Sequence, residues 1–333
     1  MNNRKILVLA LVFVLVAGAL FAQTIKPITD LQRGVEEFSS AMAKALPFNS
    51  TMGLNWSDAY IGQIVGAPPH FGAGIFLGST VLDSGDIKTL ANAMYSNVPG
   101  GYSRLPYPGF GAEGRIGGFL LPFDAGVKIA VLPSVSDDFD LHHFMVGGDI
   151  RYAILKGNAA MPKLSLGVGF NYMNGGIGID IPGSQTYNIP TLSKTLELAN
   201  PRAEFTWQTL TLDIKAQISK TFLIVTPYLG AGLTHGWSKA GYEITSNLDY
   251  DSTGTIDDAA KIAINNELKG LGLEPLDFDG TSGFSSIIKN TQWGMRLFGG
   301  VAFNLSVIKI DLSGLYNFND QSFGVTLGTR FQM

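Results

Sequence analysis

Residues 323–333 read FGVTLGTRFQM, and they alternate from end to end. Phe323, Val325, Leu327, Phe331 and Met333 are apolar in one register, whereas Gly324, Thr326, Gly328, Arg330 and Gln332 are small or polar in the other. A side-chain period of two marks a β-strand with one face against an apolar medium. A strand of this kind at the C-terminus presents an unprotected edge unless the sheet closes on itself.

The same pattern recurs upstream. LTLDIKAQI at 210–218 sets Leu210, Leu212, Ile214, Ala216 and Ile218 against Thr211, Asp213, Lys215 and Gln217. Similar alternation covers 71–79, 113–120, 123–132, 144–156, 163–174, 222–237, 291–304 and 307–318. With 203–219 and the terminal strand this predicts about ten strands, twelve to fourteen being the alternative count. MGLNWSDAYIG at 52–62 is a fainter candidate. Phe205 and Trp207 are odd-numbered while Leu210 is even, so a bulge near Gln208 is expected to restore the phase.

Connection lengths alternate too. LP (121–122), GNAAMP (157–162), KT (220–221) and LS (305–306) are short, whereas 80–112, 133–143, 175–202 and 238–290 are long; only NDQS at 319–322 is short where a long loop is due. Short turns on one rim and long loops on the other predict a transmembrane antiparallel up-and-down β-barrel over 69–333. A soluble β-sandwich also alternates and also uses hairpins. Strands of about 9 to 17 residues, against the usual five or six, favour the barrel. So do aromatic residues near strand ends: Tyr152, Tyr172, Phe205, Trp207, Tyr228, Trp237, Trp293, Tyr316, Phe318, Phe323 and Phe331 are expected to form two interfacial girdles.

Composition agrees with an all-β membrane class. The chain is 46% hydrophobic and only 15% charged, with a net charge of -4 that offers no basic patch for nucleic acid. It has no cysteine, which excludes disulfides, thiolate metal sites and a cysteine nucleophile. Arg4 and Lys5 precede the uncharged run ILVLALVFVLVAGALF at 6–21, and Ala22 is a small residue suited to cleavage, so 1–22 reads as a secretory signal peptide. Sixteen residues at about 1.5 Å each are short for a ~30 Å hydrocarbon core, which makes a retained anchor the weaker alternative.

Residues 23–68 form a separate segment of helical character. In DLQRGVEEFSSAMAKALPF the apolar residues Leu31, Val35, Phe38, Met42 and Leu46 recur every three or four positions, Thr29 or Asp30 can cap the start, and Pro47 is expected to stop the helix. Arg33, Glu36, Glu37 and Lys44 lie on the other face. The helix is expected to pack on the body of the protein, as a plug in the barrel or a cap on its periplasmic side.

The terminal stretch resembles the C-terminal assembly signal of bacterial outer-membrane β-barrel proteins, carried here by Thr326, Gly328, Phe331 and Met333, with Met at the last position where that family usually has an aromatic residue. The resemblance implies a cell outer-membrane location and, as partners, outer-membrane lipid and the outer-membrane assembly machinery. The segment ahead of the barrel is more loosely similar to the long-chain fatty-acid transporters, in which an N-terminal hatch plugs a barrel for hydrophobic compounds; their Asn-Pro-Ala signature is absent.

Charges on the face opposite the apolar one mark the lumen: Arg115, Asp124, Lys128, Asp149, Arg151, Asp213, Lys215, Arg296, Lys309, Asp311 and Arg330. A Lys or Arg facing lipid at mid-depth costs about 2–4 kcal/mol, so these residues are expected to point inward, either neutralising one another as a packed polar core or lining a narrow path. Ten strands enclose little more than the eight that side chains can fill.

No catalytic constellation stands out, and the chain is read as a non-enzyme. THGWSK resembles the outer-membrane phospholipase arrangement, but His235 and Ser238 are three apart and so fall on opposite strand faces. DDFDLHH clusters Asp137, Asp138, Asp140, His142 and His143, and DYDSTGTIDD places Asp249, Asp251 and Gly254 at the first, third and sixth positions of a calcium loop whose twelfth is Ala260 instead of Glu. Both read as solvated loops, with no cofactor or metal implied. A short helix capped by Thr255 is expected after the second. The function expected is a channel or transporter for small, including hydrophobic, molecules; a closed barrel displaying its loops and a secreted soluble protein are the alternatives. Oligomeric state and substrate stay open at this level.

Overall fold

The computed structural model describes residues 28–65, 68–83, 104–133, 139–180, 184–189, 194–250, 257–270, 275, 278 and 283–333. Helix α1 (Ile28–Ser50) precedes strands β1 (Phe71–Asp83), β2 (Arg104–Gly117), β3 (Phe123–Leu132), β4 (Phe139–Lys156), β5 (Lys163–Asp180), β6 (Ser184–Ile189), β7 (Lys194–Ser219) and β8 (Val225–Tyr250). Helix α2 (Asp258–Gly270) and strands β9 (Gly283–Leu305), β10 (Ile308–Asn317) and β11 (Ser322–Gln332) complete the chain. The signal-peptide expectation falls on residues outside those described.

Each strand pairs with its neighbours in antiparallel fashion, and β11 returns to β1 through nine aligned residue pairs from Gly72–Gln332 to Thr80–Gly324. β5 pairs with β7 from Lys163–Ser219 to Asp180–Arg202, while β6 covers only Lys194–Ala199 of β7. β6 therefore stands above the ring, and ten strands close it. Within the β7–β8 pairing the register shifts at Ala199/Arg202, a step that contains Pro201, which has no N–H to donate to the ladder. Pairing is regular through Gln208, so the bulge expected there is absent. Phe205 and Trp207 simply keep the inward register.

The outer wall is apolar. Leu229, Leu233 and Trp237 on β8, Trp293, Met295 and Leu297 on β9, and Leu210, Leu212 and Ile214 on β7 all stand exposed. A contiguous belt of this kind is far larger than the few hundred Å² a water-soluble monomer tolerates, and hydrocarbon is the solvent it suits. Pro227 to Trp237 covers ten steps of about 3.3 Å; at a tilt of ~40° that gives roughly 25 Å, the height of a transmembrane barrel's apolar band. Among the described residues no helix is long and apolar enough to cross a membrane, so crossing falls to the strands.

Exposed Trp237, Trp293, Tyr316, Phe318 and Phe323 collect near the long-loop rim, and Tyr152, Phe71 and Phe331 near the short-turn rim. Three residues expected in the girdles face inward instead. Trp207 is buried and Phe205 packs on Phe38 with ring centroids 5.0 Å apart, because an apolar helix stands in the lumen beside them; Tyr228 is buried lower down, level with Ser219, beside the irregular part of the plug.

Leu233→Arg should cost about 2–4 kcal/mol in equilibrium unfolding from lipid vesicles, several times the cost of Leu233→Ala. A penalty near zero would mean that this face meets water.

A threaded lumen as the candidate functional site

The N-terminal segment runs through the barrel from the long-loop rim to the short-turn rim. Its partners on β7 fix the direction: Phe38 packs on Phe205, Ser50 Oγ hydrogen-bonds Thr211 Oγ1 at 3.0 Å, and Leu54 O accepts from Lys215 Nζ at 3.2 Å. Trp56 O then accepts from Gln217 at 2.6 Å, and Ala59 N donates to Ser219 Oγ at 2.9 Å. Residue numbers rise together on both sides, so plug and strand are parallel. The start of α1 thus lies towards the long loops, yet β1 begins at the opposite rim. The segment expected at 52–62 as a faint strand is this threaded chain, and it joins the sheet only through one isolated bridge just beyond that range, Gln63–Gly118.

The upper half of the lumen is apolar. Met42, Ala43, Leu46 and Phe48 of α1 are buried against Phe76, Tyr107, Trp207 and Phe298 of the wall. α1 does not stop at Pro47 but continues to Ser50. Pro47 removes one helical N–H, and the last turn is held by other donors: Ser50 Oγ reaches Pro47 O at 2.7 Å and Thr51 Oγ1 reaches Phe48 O at 2.7 Å. Two wall glycines make room. A Cβ on Gly236 would lie 2.4 Å from the Pro47 ring, and one on Gly109 would lie 1.7 Å from Met52 Cε.

Below Ser50 the plug has no regular structure, so its backbone groups need partners from the wall. The chain leaves the helix through Gly53 (φ 78°) and Leu54 (φ 55°). A left-handed leucine costs roughly 1–2 kcal/mol. Leu54 is held there from both sides: its N–H donates to Glu113 Oε2 at 2.6 Å, and its carbonyl accepts from Arg115 and Lys215, each at 3.2 Å. Trp56 Nε1 donates to the other Glu113 oxygen at 2.6 Å. Lys128 Nζ donates to the carbonyls of Ser50 and Met52. Ile61 N donates to Asp124 Oδ2 at 3.1 Å.

Arg115, Asp124 and Lys215 also belong to an ion network. Arg115 bonds Asp124 and Asp149, each at 2.6 Å; Arg151 bonds Asp124 at 2.8 Å; Lys215 bonds Asp149 at 2.8 Å. Arg296 pairs with Asp213 at 2.7 Å, and Arg330 pairs with Asp311. All the charges singled out from the sequence are buried apart from Lys309, whose side chain is 13% exposed. They come together as pairs within the wall except Lys128, which bonds the plug carbonyls of Ser50 and Met52, and Lys309, which meets Asp58 of the plug; Lys215 and Arg115 reach the plug backbone as well.

Asp58 is the plug's own ion. It meets Lys163 at 2.9 Å, Lys309, and Arg330 at 3.7 Å, and it accepts from Gln332 at 3.0 Å. Burial pushes the Asp58 carboxyl up, but the three cations outweigh it and hold the group well below the usual carboxylate range. Sequence reasoning missed Asp58, Glu113 and Lys163. Glu113 shares the inward parity of Arg115 and could have been found. Asp58 sits in a segment with no period to read.

The remaining candidates separate. Ser238 hydrogen-bonds Thr209 inside at 2.7 Å, while His235 stands between Trp237 and Trp293 with ring centroids 4.3 and 4.5 Å away. Asp140 lies 3.7 Å from His142, but His143 turns to the lumen against Phe110. Among the described residues no three metal-binding side chains converge. Asp137, Asp138, Asp251 and Gly254 lie outside the described residues. Helix α2 is capped by Asp257, whose Oδ1 accepts from Ala260 N at 2.7 Å, in place of the expected Thr255, itself outside the described residues. In the terminal strand Thr326 faces inward and Phe331 outward, and Met333 N donates to Phe71 O at 2.9 Å across the closing seam.

The ring and its lining define the chain as a transmembrane β-barrel of ten strands carrying an internal plug. No protein-family model and no curated protein sequence matches it. Among solved structures it is similar to the outer membrane protease OmpT from Escherichia coli, at 10% identity over 80% of this chain and 97% of that one, with a TM-score of 0.43. It is also similar to a Pseudomonas aeruginosa FadL homologue (10% identity, 74% and 60% covered, TM-score 0.37). A third is Ail, the attachment invasion locus protein of Yersinia pestis (11% identity, 79% and 97% covered, TM-score 0.28). The class assignment rests on this chain's own closure and surface.

Asp58→Asn leaves three cations facing a neutral amide and should destabilise the lower plug by about 3–5 kcal/mol, read as faster hydrogen exchange over residues 51–64 while the strands stay protected. Because the folded carboxyl titrates below its unfolded value of about 3.9, its contribution is complete above that pH and lost only as pH falls further. Wild-type exchange over 57–60, beside Asp58, should therefore quicken as pH falls from 5 to 3 once corrected for intrinsic rates.

Proposed function

We propose that the protein is an outer-membrane barrel that acts as a plugged conduit for small molecules. The observation that carries this reading is the nature of the lumen's occupant. It is a separate length of chain, held largely by side-chain bonds to its backbone carbonyls, and water or a polar solute can replace such bonds. The apolar collar around α1 would suit solutes with a hydrophobic part, and the charged lower half would orient their polar groups. Outer-membrane lipid and the assembly machinery are the partners this reading requires, with residues 1–22 as the export signal and Thr326, Gly328, Phe331 and Met333 as the assembly tag.

In planar bilayers the full-length mature protein should be nearly silent, and deletion of residues 24–64 should raise conductance at least tenfold. A deletion variant that keeps its heat-modifiable mobility yet stays silent would overturn the conduit.

A second reading has its own support. β7 and β8, 26 residues each, continue past the aromatic row and carry β6 with them, so they build a crest above the membrane that a surface partner could use. Antibodies against 184–199 that fail to label intact cells would count against it.

A further inference from the structure

On the outer wall just above the apolar belt, Lys239 of β8 lies directly opposite Lys289 of β9. Both are exposed on the same face, and among the described residues neither has an ion-pair partner. Like charges in direct register repel, so the pair is unfavourable unless an anion sits between or beside them.

Beside Lys239 lies a groove of about 250 Å³, walled by Tyr172, Asn174, Gln208, His142 and Ile287. Its depth has a cause in the sequence. Gly176 and Gly241 stand in the outward register, where a Cβ would lie 2.6 Å from His142 Cε1 and 2.3 Å from the Ser286 carbonyl oxygen. The groove is rich in donors: the Tyr172 hydroxyl accepts from Gln208 at 2.9 Å and from Asn174 at 3.2 Å, which leaves its own proton to donate. Glu204 and Glu243, themselves cross-strand neighbours, stand two outward positions further from the belt.

Position selects the ligand. The row Tyr172–Leu210–Trp237 runs along the lower side of the groove, and the cross-strand register below it leads onto Leu212, Phe170 and Leu233 of the belt. An amphiphile with its chains on that belt would carry its head group to the height of the lysines. We propose that Lys239, Lys289 and the Tyr172 hydroxyl form a site for the phosphate head group of a membrane lipid in the leaflet on the long-loop side. The site stands on the outer wall, independent of the plug.

The test uses the intact barrel in nanodiscs of phosphatidylcholine with a minor fraction of phosphatidylglycerol, and native mass spectrometry to count the lipids retained on release. Wild type should retain phosphatidylglycerol preferentially. K239A/K289A should reduce that preference about 30-fold, since each lysine near the surface contributes roughly fivefold; Y172F should reduce it less. No preference in wild type, or an unchanged one in the double variant, overturns the site. If inorganic phosphate alone binds and abolishes the preference, the ligand is the free ion and the lipid assignment fails. The single variants K239Q and K289Q, each expected to lose about fivefold, decide the matter if the double variant loses its heat-modifiable mobility.

Discussion

A backbone crossing hydrocarbon has no water to bond, so every N–H and C=O within the apolar slab must find a partner in the chain itself. In this protein that requirement is met by the seam between β1 and β11, where the register from Gly72–Gln332 to Thr80–Gly324 joins the two ends of the sheet. Without the seam both strands would present edges to lipid. With it, the lipid-facing apolar residues of all ten strands turn outward together and the charged residues of the wall turn inward together.

Closure then creates a second problem. Ten strands enclose more space than wall side chains fill, and the lining is dense with charge. The threaded segment answers both. α1 fills the upper lumen with methionine, leucine and phenylalanine, while the irregular stretch after it satisfies Lys128, Lys215 and Arg115 through its carbonyls. Asp58 adds the one plug carboxylate that faces Lys163, Lys309 and Arg330 together. Buried ion pairs are poor sources of net stability, because desolvation offsets much of the attraction. Their value here is register: Leu54, Asp58 and Ile61 each meet their own wall partners.

The division of the lumen also connects dynamics to function. The apolar upper contact is largely non-directional, whereas the lower contact is built from hydrogen bonds of fixed geometry. In the proposed conduit, release of the plug would depend on the lower half. Any solute path must break the Asp58 cluster and the Leu54 clamp, and it would leave behind a lining already neutralised by Arg115–Asp149 and Arg296–Asp213.

Strand alternation by itself determined the outer belt, the inward parity of Arg115, Asp213 and Lys215, and the split between short turns and long loops, because a period of two is a local property of the chain. It also put His235 and Ser238 on opposite faces. Only tertiary structure decided what sits opposite each inward residue. Trp207 reads as an interfacial aromatic and belongs to the lumen, because α1 offers an apolar surface there that no strand pattern announces. Pro47 looked like a helix stop and lies within α1, because Gly236 leaves room for its ring. The direction of the plug is likewise set by long-range pairing with β7, and Asp58 matters through three cations that lie 105, 251 and 272 positions along the chain, at Lys163, Lys309 and Arg330. Periodicity reports which medium a residue faces; the identity of its neighbour is fixed only when the ring closes around the chain that passes through it.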